Sequence, residues 1–246
     1  MTPTRSWDAA TYDRVSAPQV AWSQDVIERL ELRGDEVVLD AGCGSGRVTE
    51  LLLQRLPHGR VVALDADPDM VRATRERFAA EPRVEVVHAS LTDFELPDPV
   101  DAVFSSATFH WVLDHDELFA RLGRATTPGG RISAQCGGAG NIERVKGVAD
   151  RLYPGEPPRT WCYAGPEETR ERLERNGFVD VRTWLQPWPV TPPEPLTFLE
   201  DVILGPYVQR LPQEERTPFA KAVLDDLGDP PVLDYVRLNM TGRKNA

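Results

Sequence analysis

Short apolar runs that end in an acidic or hydroxyl side chain recur through the first half of the chain. Residues 37–39 lead to Asp40, residues 61–64 lead to Asp65, and the mostly apolar residues 100–104 lead to Ser105. Runs of this length, rich in Val and Leu, predict strands that are buried on both faces. Residues 84–87 and 131–136 predict two further strands.

Helical patterns alternate with these strands. Apolar residues recur at helical spacing over residues 19–32, ahead of the first strand, and over residues 48–56, after it. Asp67 and Pro68 predict an N-cap and the first position of a helix, and Asp114 with Glu117 resembles a capping box. The alternation predicts an α/β fold with a doubly wound, mostly parallel sheet, whose ligand lies at the carboxyl ends of the strands.

The second half of the chain predicts two more strands and a helical insertion between them. Helices are expected over residues 141–152 and 166–175, strands over 178–185 and 232–241, and helical structure in two pieces over 196–227, broken near Pro206 and Pro212. The sheet is therefore predicted to have seven strands. We expect one domain over residues 1–246, divided into an N-terminal arm and helix (1–32), a ligand-binding core (33–185), a cap insertion (186–231), and a final strand and tail (232–246).

The turn after the first strand carries glycine at every second position. Gly42, Gly44 and Gly46 follow Asp40, a pattern that predicts unusual backbone dihedrals and bare backbone against a ligand, with Ser45 as the N-cap of the next helix. A dinucleotide-binding turn needs its third glycine three residues after the second. An acid ahead of the turn disfavours a pyrophosphate and favours an amino group, and Asp65 at the next strand end could accept the hydroxyls of a ribose.

Composition narrows the class of function. The chain has 246 residues and a formal net charge of −11, and we expect no nucleic-acid partner because phosphate backbones are bound by clustered Lys and Arg. We expect no membrane span, because no apolar run is long enough, and the first residues do not form a secretory signal. Cys43, Cys136 and Cys162 are scattered without the spacing of metal ligands, so no metal is expected and a cytoplasmic location is the default.

Taken together, these residues resemble the class I S-adenosylmethionine-dependent methyltransferases, and among them the trans-aconitate methyltransferase group. The resemblance covers almost the whole chain. It rests on the glycine turn, on Trp7 with Tyr12, on the segment 109–119 with its Phe-His-Trp start, on the Pro-Gly-Gly at 128–130 and on the Gly-Pro-Tyr at 205–207. It implies a Rossmann-like fold with a helical cap and S-adenosyl-L-methionine as the cofactor.

The resemblance also implies roles for individual residues. Asp40, Gly42 and Gly44, with the backbone at Cys43 and Ser105, would hold the methionine end of the cofactor, and Asp65 would bind its ribose. Ala66, Met70 and Leu91 would flank the adenine, Ser90 would contact it through a hydroxyl where many members carry an acid, and Trp7 with Tyr12 would close over the cofactor. Phe109, Trp111 and Tyr207 would bind the substrate.

The methyl acceptor is expected to be a small molecule that is methylated on oxygen, a carboxylate as in trans-aconitate or a phenol. Gly205 stands where the group often has an Arg, so positive charge at the rim is expected to be sparse and a small, largely apolar acceptor is favoured over a tricarboxylate. His110 is the candidate base for a phenol, whereas a carboxylate needs none; His110 could equally serve only to shape the pocket.

Alternatives remain at this point. A C- or N-methyltransferase of a small metabolite, a protein that binds the cofactor without catalysis, and a dinucleotide-dependent oxidoreductase are each compatible with parts of the pattern. The chain is expected to act as a monomer or a homodimer.

Overall fold

A computed structural model describes residues 17–246, with side chains from Trp22 onward. Trp7 and Tyr12 lie outside the described residues, so their predicted part in covering the cofactor stays a prediction.

A seven-stranded sheet forms the centre of the molecule. Its strands are β1 (Val37–Ala41), β2 (Arg60–Asp65), β3 (Val84–His88), β4 (Val100–Ser106), β5 (Thr126–Gly137), β6 (Phe178–Pro187) and β7 (Val236–Lys244). They lie in the order β3-β2-β1-β4-β5-β7-β6, and β7 runs antiparallel to both of its neighbours while the other pairs are parallel. The predicted seven-stranded, mostly parallel sheet is confirmed.

Helices cover the sheet and build a second layer beyond its edge. They are α1 (Ala17–Glu28), α2 (Arg47–Gln54), α3 (Pro68–Arg77), α4 (His115–Ala125), α5 (Glu143–Leu152), α6 (Pro166–Arg175), α7 (Pro195–Phe198), α8 (Gly205–Val208) and α9 (Gln213–Leu227), with a 3₁₀ turn at Phe109–Trp111 and a π-helical turn at Leu199–Ile203. Asp67 accepts from the backbone N–H groups of Asp69 and Met70, and Asp114 accepts from that of Glu117, so both predicted N-caps are confirmed.

Three apolar clusters hold these layers together. Two of them lie on opposite faces of the sheet, one around Val38, Phe104 and the residues of α2, the other around Phe109, Phe119 and Phe178. The third joins Trp22 and Tyr235 to the helices α5, α7, α8 and α9 and contains Tyr207. The helical residues between β6 and β7 therefore have an apolar core of their own, which lies against α1 and the start of β7.

Several predicted boundaries were wrong. Helix α1 ends at Glu28 instead of residue 32, because the chain turns at Glu31, whose φ is +50°. Strand β7 starts at Val236, since residue 233 only forms an isolated bridge to Val190. The segment 196–227 divides into four helical pieces instead of two. Strand β5 begins at Thr126 instead of residue 131, so the Pro-Gly-Gly at 128–130 lies within it, beside an irregular register with β4. Among residues 17–246, no helix has the length and hydrophobicity needed to span a bilayer.

Candidate active site

The glycine turn between β1 and α2 has the backbone geometry that its spacing predicts. Gly42, Gly44 and Gly46 all have positive φ, at +88°, +57° and +85°. The N–H groups of Gly42 and Cys43 both donate to the carbonyl of Leu64, at 2.8 and 3.0 Å, which fixes the turn to the end of β2. The turn is therefore held in one conformation by its neighbouring strand.

The glycines serve different purposes. A Cβ atom at Gly42 would lie 2.2 Å from a side-chain carbon of Thr108, so this position needs glycine for a close approach between β1 and β4. At Gly44, no atom lies within 4 Å of the Cβ position, which leaves a strip of bare backbone facing open space. That strip is the part of the turn against which a ligand can lie.

Ser45 does not cap α2, which corrects the prediction. The N-cap is Gly46, in a left-handed conformation and without a side-chain cap, and Ser45 is buried. Cys43 is also buried, and the loss of hydration raises the pKa of its thiol well above the usual value. The Cys43 side chain is thus a protonated packing group, and only its backbone can face a ligand.

Asp40, at the end of β1, is a buried carboxyl with one close partner. It is 1 % exposed, and its Oδ2 accepts a 2.6 Å hydrogen bond from the hydroxyl of Thr49. Burial raises the pKa of Asp40 to about 7, although the bond from Thr49 opposes that shift. The charge of this group can therefore change near neutral pH.

Asp65, at the end of β2, is held by two backbone amides. Its Oδ2 accepts from the N–H of Gly44 at 2.8 Å, and its Oδ1 accepts from the N–H of Asp67 at 2.9 Å. Burial raises the pKa of Asp65, and the two amide bonds counter that rise. Each carboxylate oxygen can accept more than one hydrogen bond, so both can still receive a hydroxyl from a ligand.

The remaining predicted cofactor residues surround the same end of β2. Met70 and Leu91 are buried, Ala66 and Ser90 are exposed, and the Ser90 hydroxyl pairs with that of Thr92 at 2.9 Å. Ser105 is 1 % exposed, and its hydroxyl donates to the carbonyl of Ala41, which ties β4 to β1. Its side chain is therefore used within the sheet.

A pocket opens beside this turn, at the ends of β4 and β5, with an empty volume of about 460 Å³ that includes open solvent. Its wall is mostly aromatic and apolar, with one amide and one guanidinium. It is formed by Ala107, His110, Trp111, Asn141, Ile142, Trp161, Tyr163, Val202, Ile203, Tyr235 and Arg237.

Stacked rings form one side of this pocket. Tyr163 stacks on both His110 and Trp161, with ring centroids 5.9 Å apart in each case, and Trp111 lies 5.8 Å from Trp161. Flat, polarisable walls of this kind suit an acceptor with an apolar body. The sequence analysis did not single out Trp161 and Tyr163, because they lie in a loop with no regular pattern.

The tautomer of His110 follows from its backbone contact. The N–H of Gly137 donates to Nδ1 at 3.2 Å, so a neutral ring carries its proton on Nε2. In that state Nε2 donates a hydrogen bond and does not accept a proton. The geometry therefore favours His110 as a wall and hydrogen-bond donor over His110 as a general base.

Arg237 supplies the positive charge that the sequence analysis did not find. It is 2 % exposed, its Nε donates to Gln135 at 3.3 Å, and its guanidinium lies 4.8 Å from the ring centre of Trp22. Positive charge in the pocket is sparse, as expected from Gly205, and the one Lys or Arg among its described lining residues comes from β7. The sequence did contain a signal for this residue, because polar and apolar side chains alternate along the strand. Tyr235, Arg237 and Asn239 point to one face, and Leu238 and Met240 point to the other.

Two of the predicted substrate residues are not among the residues that line this pocket. Phe109 is fully buried in the core, 5.9 Å from the ring of Phe119. Tyr207 is fully buried in the third cluster, and its hydroxyl donates to Asp150. Of the predicted substrate and catalytic residues, Trp111 and His110 line the pocket.

Comparisons with known proteins agree with this geometry. Residues 38–130, from β1 to β5, match the methyltransferase domain family. A trans-aconitate 2-methyltransferase of Methylobacterium nodulans is 31 % identical over 179 residues, or 73 % of this chain and 67 % of that protein. One from Rhodopseudomonas palustris is 30 % identical over 70 % of this chain and 65 % of its own length. The match thus spans about two thirds of each of these relatives.

The fold is also found among solved structures. Phosphoethanolamine N-methyltransferase 2 of Haemonchus contortus, solved with phosphomonomethylethanolamine and S-adenosylhomocysteine, superposes with a TM-score of 0.68. It is 18 % identical, and the superposition covers 97 % of this chain and 57 % of that one. The chain belongs to the class I S-adenosylmethionine-dependent methyltransferases, and within them it resembles the trans-aconitate 2-methyltransferases.

Proposed function

We propose that this methyltransferase acts on a small organic acid and methylates it on a carboxylate oxygen. The observation that carries the proposal is the buried guanidinium of Arg237 in the wall of an aromatic pocket. A guanidinium in an apolar surrounding offsets the cost of removing a carboxylate from water, which aromatic walls alone cannot do.

The pocket lies next to the glycine turn, which the chemistry requires. Ala107 lines the pocket, and its neighbour Thr108 packs against the turn, with its hydroxyl donating to the carbonyl of Gly42 at 3.2 Å. An acceptor held in the aromatic pocket would thus be separated by this short segment from a cofactor that lies along Gly44. Such adjacency lets the chain align two bound molecules, and alignment is the larger part of what this reaction needs.

The residues around the glycine turn fit S-adenosyl-L-methionine. Gly44 leaves open backbone, both oxygens of Asp65 can receive ribose hydroxyls, and Oδ2 of Asp67 is a buried oxygen without a hydrogen-bond partner among the described residues. We assign the methionine end to Asp40, Gly42 and Gly44 with the backbone at Cys43 and Ser105. The ribose belongs to Asp65, and the adenine to Ala66, Met70, Ser90 and Leu91.

The chain's own residues have a limited set of tasks in this mechanism. When bound, the cofactor supplies a methyl group on a positively charged sulfur, which a well-placed nucleophile can accept without further activation. A carboxylate is ionised at neutral pH and needs no base. Arg237 would hold one oxygen of the acid, the stacked rings would hold its body and exclude water, and the Nε2–H of His110 could donate to the substrate.

The pocket also supports a preference among acids. Among the described lining residues, Arg237 is the one Lys or Arg. A tricarboxylate would bring two further charges against apolar walls, whereas a monocarboxylate with a flat apolar body would place its charge at Arg237 and its body on the rings. We therefore propose a largely apolar monocarboxylate as the preferred acceptor over trans-aconitate.

Transfer of labelled methyl groups to benzoate and to trans-aconitate tests this proposal. We expect a higher kcat/KM for benzoate and a product that releases its label as methanol in base, as methyl esters do and N-, C- or ether-linked methyl groups do not. Arg237→Met should raise the KM for the acid about tenfold to a hundredfold, since it removes a charged hydrogen-bond donor. Its matched control is Arg243→Met, which removes an exposed arginine of the same strand that pairs with Asp180.

Three results would contradict the proposal. They are a base-stable product, an unchanged KM in Arg237→Met, and no transfer to either acid from a protein that binds the cofactor. The last of these would favour the alternative of cofactor binding without catalysis.

A further inference from the structure

A chain of buried and half-buried polar side chains runs from Arg237 through β5 and β7 to Arg29, which directly follows helix α1. We propose that Gln135, Asn239 and Arg29 are positioning residues that fix the guanidinium of Arg237 for the carboxylate of the acceptor. This inference rests on the proposed function, because the acid is what Arg237 would hold.

The register of the sheet brings these residues together. Gln135 of β5 lies opposite Asn239 of β7, and Arg237 is two residues away on the same face of β7. Helix α1 covers this face, with Trp22 on the guanidinium of Arg237, and Arg29, the residue that follows the helix, reaches Asn239. Gln135 and Asn239 are at most 1 % exposed, so water does not compete for their hydrogen bonds.

The direction of every hydrogen bond in this chain is set by its charged ends. Arg29 can only donate, and its Nη1 donates to Oδ1 of Asn239 at 2.8 Å. That same oxygen accepts from Nε2 of Gln135 at 2.9 Å. The amide of Gln135 must therefore turn its Oε1 toward Arg237, where it accepts from Nε at 3.3 Å.

This arrangement orients the guanidinium with respect to the pocket. Arg237 lines the pocket and Gln135 does not, so Gln135 holds the guanidinium by its Nε from the side away from the acceptor. Trp22 holds one face of the same group. With its Nε and one face fixed, the guanidinium has a defined direction for its outer nitrogens, and a planar carboxylate needs that direction in order to bind.

Two substitutions of Gln135 separate positioning from simple packing. Gln135→Met keeps the size and removes the acceptor, and we expect the KM for benzoate to rise about fivefold to tenfold with kcat changed less. Gln135→Glu keeps the shape and places a carboxylate beside Arg237, where it competes with the acid. For that variant we expect a rise of about a hundredfold. The dissociation constant for S-adenosyl-L-methionine should stay within about twofold in both.

Ser133→Ala is the matched control. Its hydroxyl is fully buried on the same face of β5 and donates to the carbonyl of Val26 in α1, but it does not contact Arg237. This variant should lose a comparable amount of stability and leave the KM unchanged. A thermal melt of each variant identifies any that fail to fold. If Gln135→Glu does not fold, the KM of Gln135→Met, which is the milder change, tests the positioning role.

The outcomes separate this inference from the proposed function. If Arg237→Met raises the KM for benzoate while Gln135→Glu and Gln135→Met leave it within twofold, the positioning role is overturned and the function stands. An unchanged KM in Arg237→Met overturns both. A KM that rises equally in Gln135→Met, Gln135→Glu and Ser133→Ala shows loss of packing and also overturns the inference.

Discussion

Asp65 is the side chain on which cofactor affinity is expected to depend most directly. It receives the N–H groups of Gly44 and Asp67, and its two oxygens retain capacity for the hydroxyls of a ribose. Asp65→Ala removes the acceptor for the ligand and for both amides. Asp65→Asn places an amide N–H₂ against one of two backbone donors, so it is not a mild change at this position.

The expected magnitude follows from these contacts. A hydrogen bond to a charged group contributes about 1.5–3 kcal/mol, and each 1.4 kcal/mol corresponds to a factor of about ten in affinity. Loss of one such bond to the cofactor should raise the dissociation constant about tenfold to a hundredfold, and loss of a second should add to that. The two orphaned amides should also lower the melting temperature of the free protein.

Titration calorimetry with S-adenosyl-L-methionine at pH 7.5 measures this effect, and Asp69→Ala provides the control. Asp69 lies four residues away, where it pairs with Arg72 on the surface of α3, so its loss should leave the affinity within twofold. A folded Asp65→Ala protein that binds the cofactor as tightly as the wild type would refute the assignment of the ribose to Asp65.

Three further predictions follow from the pKa values and glycine geometry. Because the pKa of Asp40 is raised to about 7, the carboxyl group is ionised in only about a tenth of the molecules at pH 6. We therefore expect the cofactor to bind about tenfold more weakly at pH 6 than at pH 8. Calorimetry should find that this pH dependence is absent in Asp40→Asn. Burial lowers the pKa of His115 below 6.5, so the contribution of the neutral ring to stability is complete above pH 6.5 and is lost as the pH falls. Between pH 7.5 and pH 5, the melting temperature of His115→Gln should therefore fall less than that of the wild type. Gly42→Ala should lower the melting temperature more than Gly44→Ala, since both require positive φ but only Gly42 would also clash with Thr108; equal losses would contradict this reading.

The local parts of the site could be predicted from the sequence. A strand end, a glycine turn and a helix start are set by a dozen neighbouring residues, which include Asp40, Gly42 and Gly44. Parallel strands bring their carboxyl ends to one edge of the sheet. The same logic placed Asp65 beside the turn. The prediction that Ser45 caps α2 was wrong, because Gly46 is the N-cap and takes a left-handed conformation that leaves Ser45 inside the turn.

The acceptor pocket could not be predicted in the same way. Its walls come from a 3₁₀ turn, a loop at residues 161–163, a π-helical turn and the start of β7, segments that are far apart in the chain. Phe109 and Tyr207 are fully buried in apolar cores, where large rings gain the most from burial, and their contact with the substrate stays a prediction.

The sequence by itself therefore determined the sheet, the glycine turn and the acids at its edge, since each depends on the periodicity and chemistry of adjacent residues. Only the tertiary structure decided where positive charge meets the acceptor. Strand β7 inserts antiparallel between β5 and β6, which brings Arg237 next to Gln135 across a separation of 102 residues. Strand order is fixed by packing over the whole sheet and leaves little trace in the local pattern, so the residue on which the proposed function rests became visible only in the fold.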